Sequence, residues 1–280
     1  MTTSSTPGFR TKKRFGQNFL KDPAVPAAIV EAAELTKADK VLEIGPGQGA
    51  LTRGLLEEAG EVVAVEIDTR LTSTLEALQA EQPHLRVVWG DFLATSFAEL
   101  GLSEAGTKVV ANIPYYITSP ILLKLLHSET IEREPLESVA EWPERIILMV
   151  QEEVARRLLA RPGTKDYGSL SVICQYAAEI TPVIRVPRSS FVPRPQVDSM
   201  VVMLKPRKVA PIDVPDPRRF FQVVRGAFGL RRKTLVNALK GAGFEQARLE
   251  AAFAATGIDP ARRGETLSLE EFAALSRALL

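Results

Sequence analysis

The chain reads as an α/β fold, a mostly parallel sheet joined to a smaller all-helical C-terminal domain. Three observations predict it. Between Lys40 and Ala160, five short apolar runs alternate with helical patterns, which is the grammar of βαβ units. After Gly168 the alternation stops, and eight of the nineteen prolines fall between Pro182 and Pro217. From Pro217 onward every periodic segment is helical.

Asp22-Pro23 offers an N-cap followed by proline at N1, so a helix is expected over 24–35 with Val25, Ile29 and Ala32/Ala33 on one face. Lys40 to Ile44 is a first strand, Gly45-Pro46-Gly47-Gln48-Gly49 a tight turn, and 50–59 a helix. Strands follow at 61–67, 86–89, 108–111 and 145–150, with helices at 70–79, 121–126 (opened by Ser119-Pro120) and 152–160. Then come a helix over 170–178 and two late strands, 181–186 and 199–205. C-terminal helices are expected at 218–228, 233–239, 245–256 and 269–279. The expected division is a tail over 1–11, a catalytic domain over 12–207 and a helical domain over 208–280.

The 280 residues carry a formal charge of only +1. That near-balance hides two basic segments. Arg185 to Lys240 holds thirteen Lys/Arg against Asp198, Asp213 and Asp216, and Arg10 to Lys21 holds five with no acid. Phenylalanines interleave both segments, a pattern that favours a polyanion partner. No apolar run reaches about 18 residues, so no membrane span is expected. The Ser/Thr-rich start lacks an apolar core and does not read as a secretory signal. Lone Cys174 excludes an internal disulfide or a Cys-based zinc site, and His84 and His127 lack metal-ligand spacing. A cytoplasmic protein without a metal is expected.

Asn112-Ile113-Pro114-Tyr115 is the most informative stretch. It closes the apolar run Lys108 to Ala111, and the C-terminal end of such a strand faces the ligand crevice of an open α/β sheet. A side-chain amide can accept from an exocyclic amine, a tyrosine face can stack on a base, and Pro114 fixes the angle of the Ile113 carbonyl. The turn holding Gly45 and Gly47 has the spacing G-x-G-x-G, which is not the dinucleotide fingerprint. Glu66 follows about twenty residues on, where an acid binds ribose hydroxyls. Asp91, with Phe92 behind it, suits an adenine amine and ring. Glycine turn, Glu66, Asp91 and Asn112 end four successive expected strands, and together they describe an adenosine pocket whose tail points at Asn112.

That order resembles the S-adenosylmethionine-dependent methyltransferases, and four motifs narrow the resemblance to the ribosomal RNA adenine dimethyltransferases. Gly16-Gln17-Asn18-Phe19-Leu20 is similar to their N-terminal segment, and Asn112-Ile113-Pro114-Tyr115 to their Asn-(Leu/Ile)-Pro-Tyr motif. Phe191-Val192-Pro193-Arg194-Pro195-Gln196-Val197-Asp198-Ser199 resembles their Phe-x-Pro-x-Pro-x-Val-x-Ser loop. Phe228-x-x-Arg231-Arg232-Lys233-Thr234-Leu235-x-Asn237-x-Leu239 resembles their basic C-terminal signature. The resemblance runs from about Lys12 to the C-terminus.

It implies a Rossmann-like class I methyltransferase sheet and S-adenosylmethionine as cofactor. The implied reaction is N6,N6-dimethylation of two adjacent adenosines near the 3′ end of small-subunit ribosomal RNA, by a monomer acting on the RNA or on the pre-assembled subunit. Asn112, Ile113, Pro114 and Tyr115 would carry the chemistry, with Phe191 closing the second face of the base. Asn18, Leu20, Gly45, Gly47, Glu66, Ile67, Asp91, Phe92 and Asn112 would hold the cofactor. Lys12, Lys13, Arg14, Arg194, Arg225, Arg231, Arg232 and Lys233 would meet RNA. Three alternatives stand beside this reading. One is an antibiotic-resistance-type enzyme of large-subunit RNA. Another is a nucleic-acid-binding assembly factor without catalysis, and the third a nicotinamide oxidoreductase, which the glycine spacing disfavours.

Overall fold

A computed structural model describes residues 18–230 and 232–280. Within these residues nine strands are formed: β1 (Phe19–Leu20), β2 (Lys40–Ile44), β3 (Glu61–Glu66), β4 (Leu85–Trp89), β5 (Thr107–Asn112), β6 (Arg145–Gln151), β7 (Ala178–Val186), β8 (Phe191–Val192) and β9 (Ser199–Pro206). Seven of them make one sheet in the order β4-β3-β2-β5-β6-β9-β7. β4, β3, β2, β5 and β6 run parallel, and β9 enters antiparallel to β6. The order turns back at β2 and β5, so their C-terminal ends meet at a topological switch point, where open α/β sheets bind ligands. β1 and β8 form a separate two-stranded antiparallel ladder, which the sequence pattern does not predict.

The central strands read as continuous apolar runs because helices shield both faces. Val41, Leu42, Val62, Val63, Ala64, Val109, Val110, Ala111 and Ile146 to Val150 are all buried. Helix α1 (Ala24–Ala33) buries Val25, Pro26, Ile29 and Ala33; Pro23 sits one residue earlier than expected, at the cap, and just before it Asp22 Oδ1 accepts from Ala24 N at 3.1 Å. Helices α2 (Ala50–Glu58) and α3 (Thr72–Glu81) complete the crossovers between β2, β3 and β4. At the opposite end of β5 from the switch point, buried Lys108 donates to the Glu34 carbonyl at 2.8 Å and pairs with Asp39 at 3.1 Å. A charge that deep persists only when its partners are in place.

Two compact units divide the chain. Among the described residues, the first takes 18–122, 141–155 and 181–205, and the second 123–140, 156–180, 206–230 and 232–280. The composition shift predicts a single boundary at 207/208. Compactness adds the earlier excursions 123–140 and 156–180 to the helical unit, which no composition shift marks. Helices α4 (Thr118–Leu125) and α6 (Glu152–Leu159) bridge the divisions along the chain. The second unit holds α5 (Ser128–Ile131), α7 (Ser169–Ala177), α8 (Pro217–Gly229), α9 (Leu235–Gly241), α10 (Gln246–Thr256) and α11 (Leu269–Ala278). Its core is aromatic: Tyr176, Phe220 and Phe221 have centroids 4.9–5.5 Å apart, and Phe228 lies 6.0 Å from Tyr167 and 5.8 Å from Phe272. α8 starts with Asp216 accepting from Arg219 N and proline at the first helical position. Among the described residues, no helix is long and apolar enough to cross a membrane.

Candidate active site

The ends of β2, β3 and β4 are stitched together by backbone. Gly45 N donates to Val65 O and Gly90 N to Glu66 O, both at 2.9 Å. Gly45 and Gly47 stand at φ +73° and +58°, a region that glycine occupies without strain. A Cβ on Gly47 would come within 3.2 Å of the Phe19 ring, so the turn needs glycine for space as well as conformation. Gly45 sits against the Asn112 carbonyl and the Pro114 ring, so the glycine turn and the Asn-Ile-Pro-Tyr motif share one wall.

Glu66 ends β3 almost fully buried. Its Oε1 accepts from Asp68 N at 2.8 Å and its Oε2 from Gly47 N at 3.1 Å. Burial raises its pKa, the backbone N–H groups of Asp68, Gly47 and Ile67 oppose the rise, and the adjacent Asp68 charge adds to it. Asp91 is exposed, with Oδ1 accepting from Leu93 N at 2.9 Å, which shapes the turn Phe92–Ala94. Phe92 is buried with its ring edge-on to Phe97. Asn112 is the last residue of β5 and half-buried. After it, Ile113 is buried. The carbonyls of Pro114 and Tyr115 serve the following turn, accepting from Ile117 N and the Thr118 hydroxyl. The Tyr115 phenol and the Ser199 hydroxyl share a hydrogen bond of 2.7 Å, and burial raises the phenol pKa.

One cavity of about 1990 Å³ gathers these residues. Asn18, Leu20, Gly45, Gly47, Glu66, Ile67, Asp91, Phe92, Asn112, Ile113, Pro114 and Tyr115 all line it. Its wall also takes in exposed surfaces of α1, α2 and α3, so the strand-end part is one region of a longer open groove with room for a nucleoside. Phe191 is the exception. It is buried in the core with Val25 and Ile29 and is absent from the cavity wall. The reason is strand alternation: Phe191 turns inward, while Val192, half exposed, and Pro193 reach the cavity.

Arg194, Arg232 and Lys233 are exposed. Arg225 forms an ion pair with Glu132, so its charge is partly answered within the chain. Arg185 is likewise shared between Glu152 and Asp198. Lys12, Lys13, Arg14 and Arg231 lie outside the described residues.

Sequence reasoning missed Ser199 as a partner of Tyr115, although it closes a quoted motif. It also passed over Glu43, the one acid inside an apolar strand. Glu43 is fully buried on the cavity wall, and among the described residues its Oε2 has no hydrogen-bond partner. Burial, reinforced by the Glu66 charge, pushes its carboxyl up to about 8. A carboxyl raised in the folded state contributes stability that is fully present below its ordinary value of 4.5 and lost as pH rises through about 8. Glu43→Gln is therefore expected to flatten the fall of Tm between about pH 5 and pH 9, a comparison that thermal unfolding of the two proteins makes directly. Parallel profiles would place the titration elsewhere.

A parallel sheet with a buried acid and glycine turn at its switch point, and an Asn-Ile-Pro-Tyr end on the next strand, defines a class I methyltransferase. A profile of the ribosomal RNA adenine dimethylases matches residues 8–279, and the chain belongs to that family. The ribosomal RNA small subunit methyltransferase A of Moorella thermoacetica is 49% identical, over 97% of this chain and 93% of its own. That of Geobacillus sp. strain WCH70 is 46% identical, over 97% and 92%. Among solved structures, a dimethyladenosine transferase from Plasmodium falciparum matches with a TM-score of 0.71 at 28% identity, covering 92% of this chain and 95% of that one. The 23S rRNA methyltransferase ErmE matches at 0.69 and 30% identity, covering 94% and 99%.

Proposed function

We propose that this enzyme dimethylates N6 of two adjacent adenosines near the 3′ end of small-subunit ribosomal RNA, with S-adenosylmethionine as methyl donor. The observation that carries the reading is the placement of Asn112-Ile113-Pro114-Tyr115 on the wall of the same cavity as Glu66 and Asp91. The donor set fits the cofactor: a buried carboxylate already oriented by two backbone N–H groups, and a glycine cradle. Glu66 would take the ribose hydroxyls, Asp91 the adenine amine, and Phe92, Ile67, Asn18 and Leu20 the surrounding surface. When bound, the cofactor supplies an electrophilic methyl group. The chain's own task is to hold the target amine.

The adenine amine is a weak nucleophile because its lone pair is delocalised into the ring. Hydrogen bonds from N6–H to the Asn112 side chain and the Ile113 carbonyl would pull it towards a tetrahedral geometry, while Tyr115 stacks on the ring. No general base is needed before attack, since the proton leaves afterwards. Positioning of this kind is worth up to ~7–11 kcal/mol in intramolecular analogies. The target base must leave its stack to reach the cavity.

The helical unit and the exposed cations would supply RNA affinity rather than sequence choice. The double variant Arg232→Ala/Lys233→Ala is expected to weaken RNA binding and to lower the slope of log affinity against log salt by about 0.7–0.9 for each phosphate no longer neutralised. Titration at three salt concentrations reads this slope, and an unchanged slope would remove both residues from the interface.

The reading carries a cytoplasmic monomer acting on the small subunit. The test is transfer of labelled methyl from S-adenosylmethionine to purified small and large subunits that lack the modification, followed by nucleoside analysis. N6,N6-dimethyladenosine in the small subunit is expected. Label in the large subunit would move the substrate to that of the resistance-type relative, whose fold match is nearly equal. No label in either, with cofactor bound, would favour an assembly factor.

A further inference from the structure

We propose that Ser199 is a positioning residue for the reaction: it holds the far end of the Tyr115 ring and so keeps the ring from swinging away from the target base, and the second methyl transfer depends on this pin more than the first. The inference rests on the adenine-methylating reading above.

The two ends of the Tyr115–Ser199 hydrogen bond differ in freedom. Tyr115 opens a short 3-10 turn after β5, on the cavity wall. Ser199 is fully buried and opens β9, where it faces Gln151 of β6 in the ladder. The preceding residue is anchored too. Asp198 O accepts from Glu152 N at 3.0 Å, and its carboxylate accepts from Arg188 N at 2.9 Å and from the Arg185 guanidinium at 3.1 Å. The hydroxyl of Ser199 is thus fixed to the sheet. A bond of 2.7 Å to the para oxygen, which lies on the long axis of the ring, fixes where that axis points and so restrains the swing of the Tyr115 ring along the cavity wall. The phenol is protonated across the neutral range in any case, and burial raises its pKa further.

The unequal effect on the two transfers follows from the substrate's chemistry. Unmodified N6 carries two hydrogens, enough to serve both Asn112 and the Ile113 carbonyl. After one methylation a single N6–H remains, and only one of the two acceptors can be served. Stacking then carries more of the positioning, so a loosened ring costs more in the second step.

Ser199→Ala is expected to slow the second transfer roughly tenfold, the size of one ordinary hydrogen bond, while the first changes less. N6-methyladenosine would accumulate during the time course. Tyr115→Phe removes the same bond from the other side without touching the buried strand, and the double variant should be no worse than either single one. Cofactor affinity and Tm serve as controls for folding. An unchanged ratio of mono- to dimethyladenosine, or losses in the two single variants that multiply, would overturn the proposal.

A second arm needs no RNA. The chain has four tyrosines, so ring-labelled NMR resolves Tyr115, and its signal should shift and change width in Ser199→Ala. No change there overturns the pin whatever the substrate. A changed signal in a protein that methylates no adenine would instead sink the substrate reading.

Discussion

Asn112→Ala is expected to lower methyl transfer by about two to three orders of magnitude, the loss seen when one preorganised polar group facing a reacting centre is removed. Cofactor affinity should change little. The reason lies in position. Asn112 ends β5 and is held in register with Met149 of β6, while the carboxylate expected to hold the ribose sits at the end of β3, with β2 between them. Truncation leaves the glycine turn intact, because Gly45 meets the Asn112 backbone carbonyl and the Pro114 ring and not the deleted amide. The effect should appear in kcat, with the cofactor dissociation constant within a few-fold of wild type. Single-turnover transfer to small subunits, beside a cofactor titration, separates the two. A variant with normal turnover would remove Asn112 from the chemistry.

Glu66→Ala should behave in the opposite way, weakening cofactor binding by roughly 100-fold, as expected when hydrogen bonds to a charged group worth about 1.5–3 kcal/mol each are removed. Its two oxygens also satisfy Gly47 N and Asp68 N. The alanine variant therefore leaves two backbone donors without their acceptor and loosens the glycine turn as well. Saturating cofactor should restore part of the turnover, which it cannot do for Asn112→Ala. The pH dependence has a defined sign. Burial raises the Glu66 pKa, and the carboxylate is the form that accepts ribose hydroxyls. Affinity should therefore fall as pH drops, with a midpoint above the ordinary glutamate value of about 4.3. Calorimetric titration across pH checks both the size and the sign.

Most of the sheet was legible because each buried parallel strand is an uninterrupted apolar run ended by a turn residue. Lys40–Ile44 matches its expected bounds, and the other parallel strands differ from theirs by a residue or so at their ends. That Gly45, Gly47, Glu66, Asp91 and Asn112 would line one cavity was legible for the same reason, since strand ends in such a sheet converge whatever the loops do. Phe191 was misplaced because a loop motif does not disclose which way each side chain faces. That choice is made by the β1–β8 pairing, which joins segments far apart in sequence. Ser199 was missed because its hydroxyl acquires a role only when β9 is laid beside β6, bringing it to Tyr115. The discontinuous second unit was invisible too: residues 123–140 and 156–180 look in sequence like ordinary crossover material.

The small β1–β8 ladder bears on when the enzyme becomes competent. Phe19 and Leu20 pair with Val192 and Phe191, Lys21 N donates to Ser190 O at 3.0 Å, and the Ser190 hydroxyl reaches Asp22 across 168 residues of chain. So few bonds cannot offset the entropy of closing so long a loop in an unstructured chain. They form only once the large sheet has already brought both segments together. Asn18 and Leu20 are therefore expected to join the cavity wall late in folding, and a chain with an unfinished sheet is expected to lack a complete pocket.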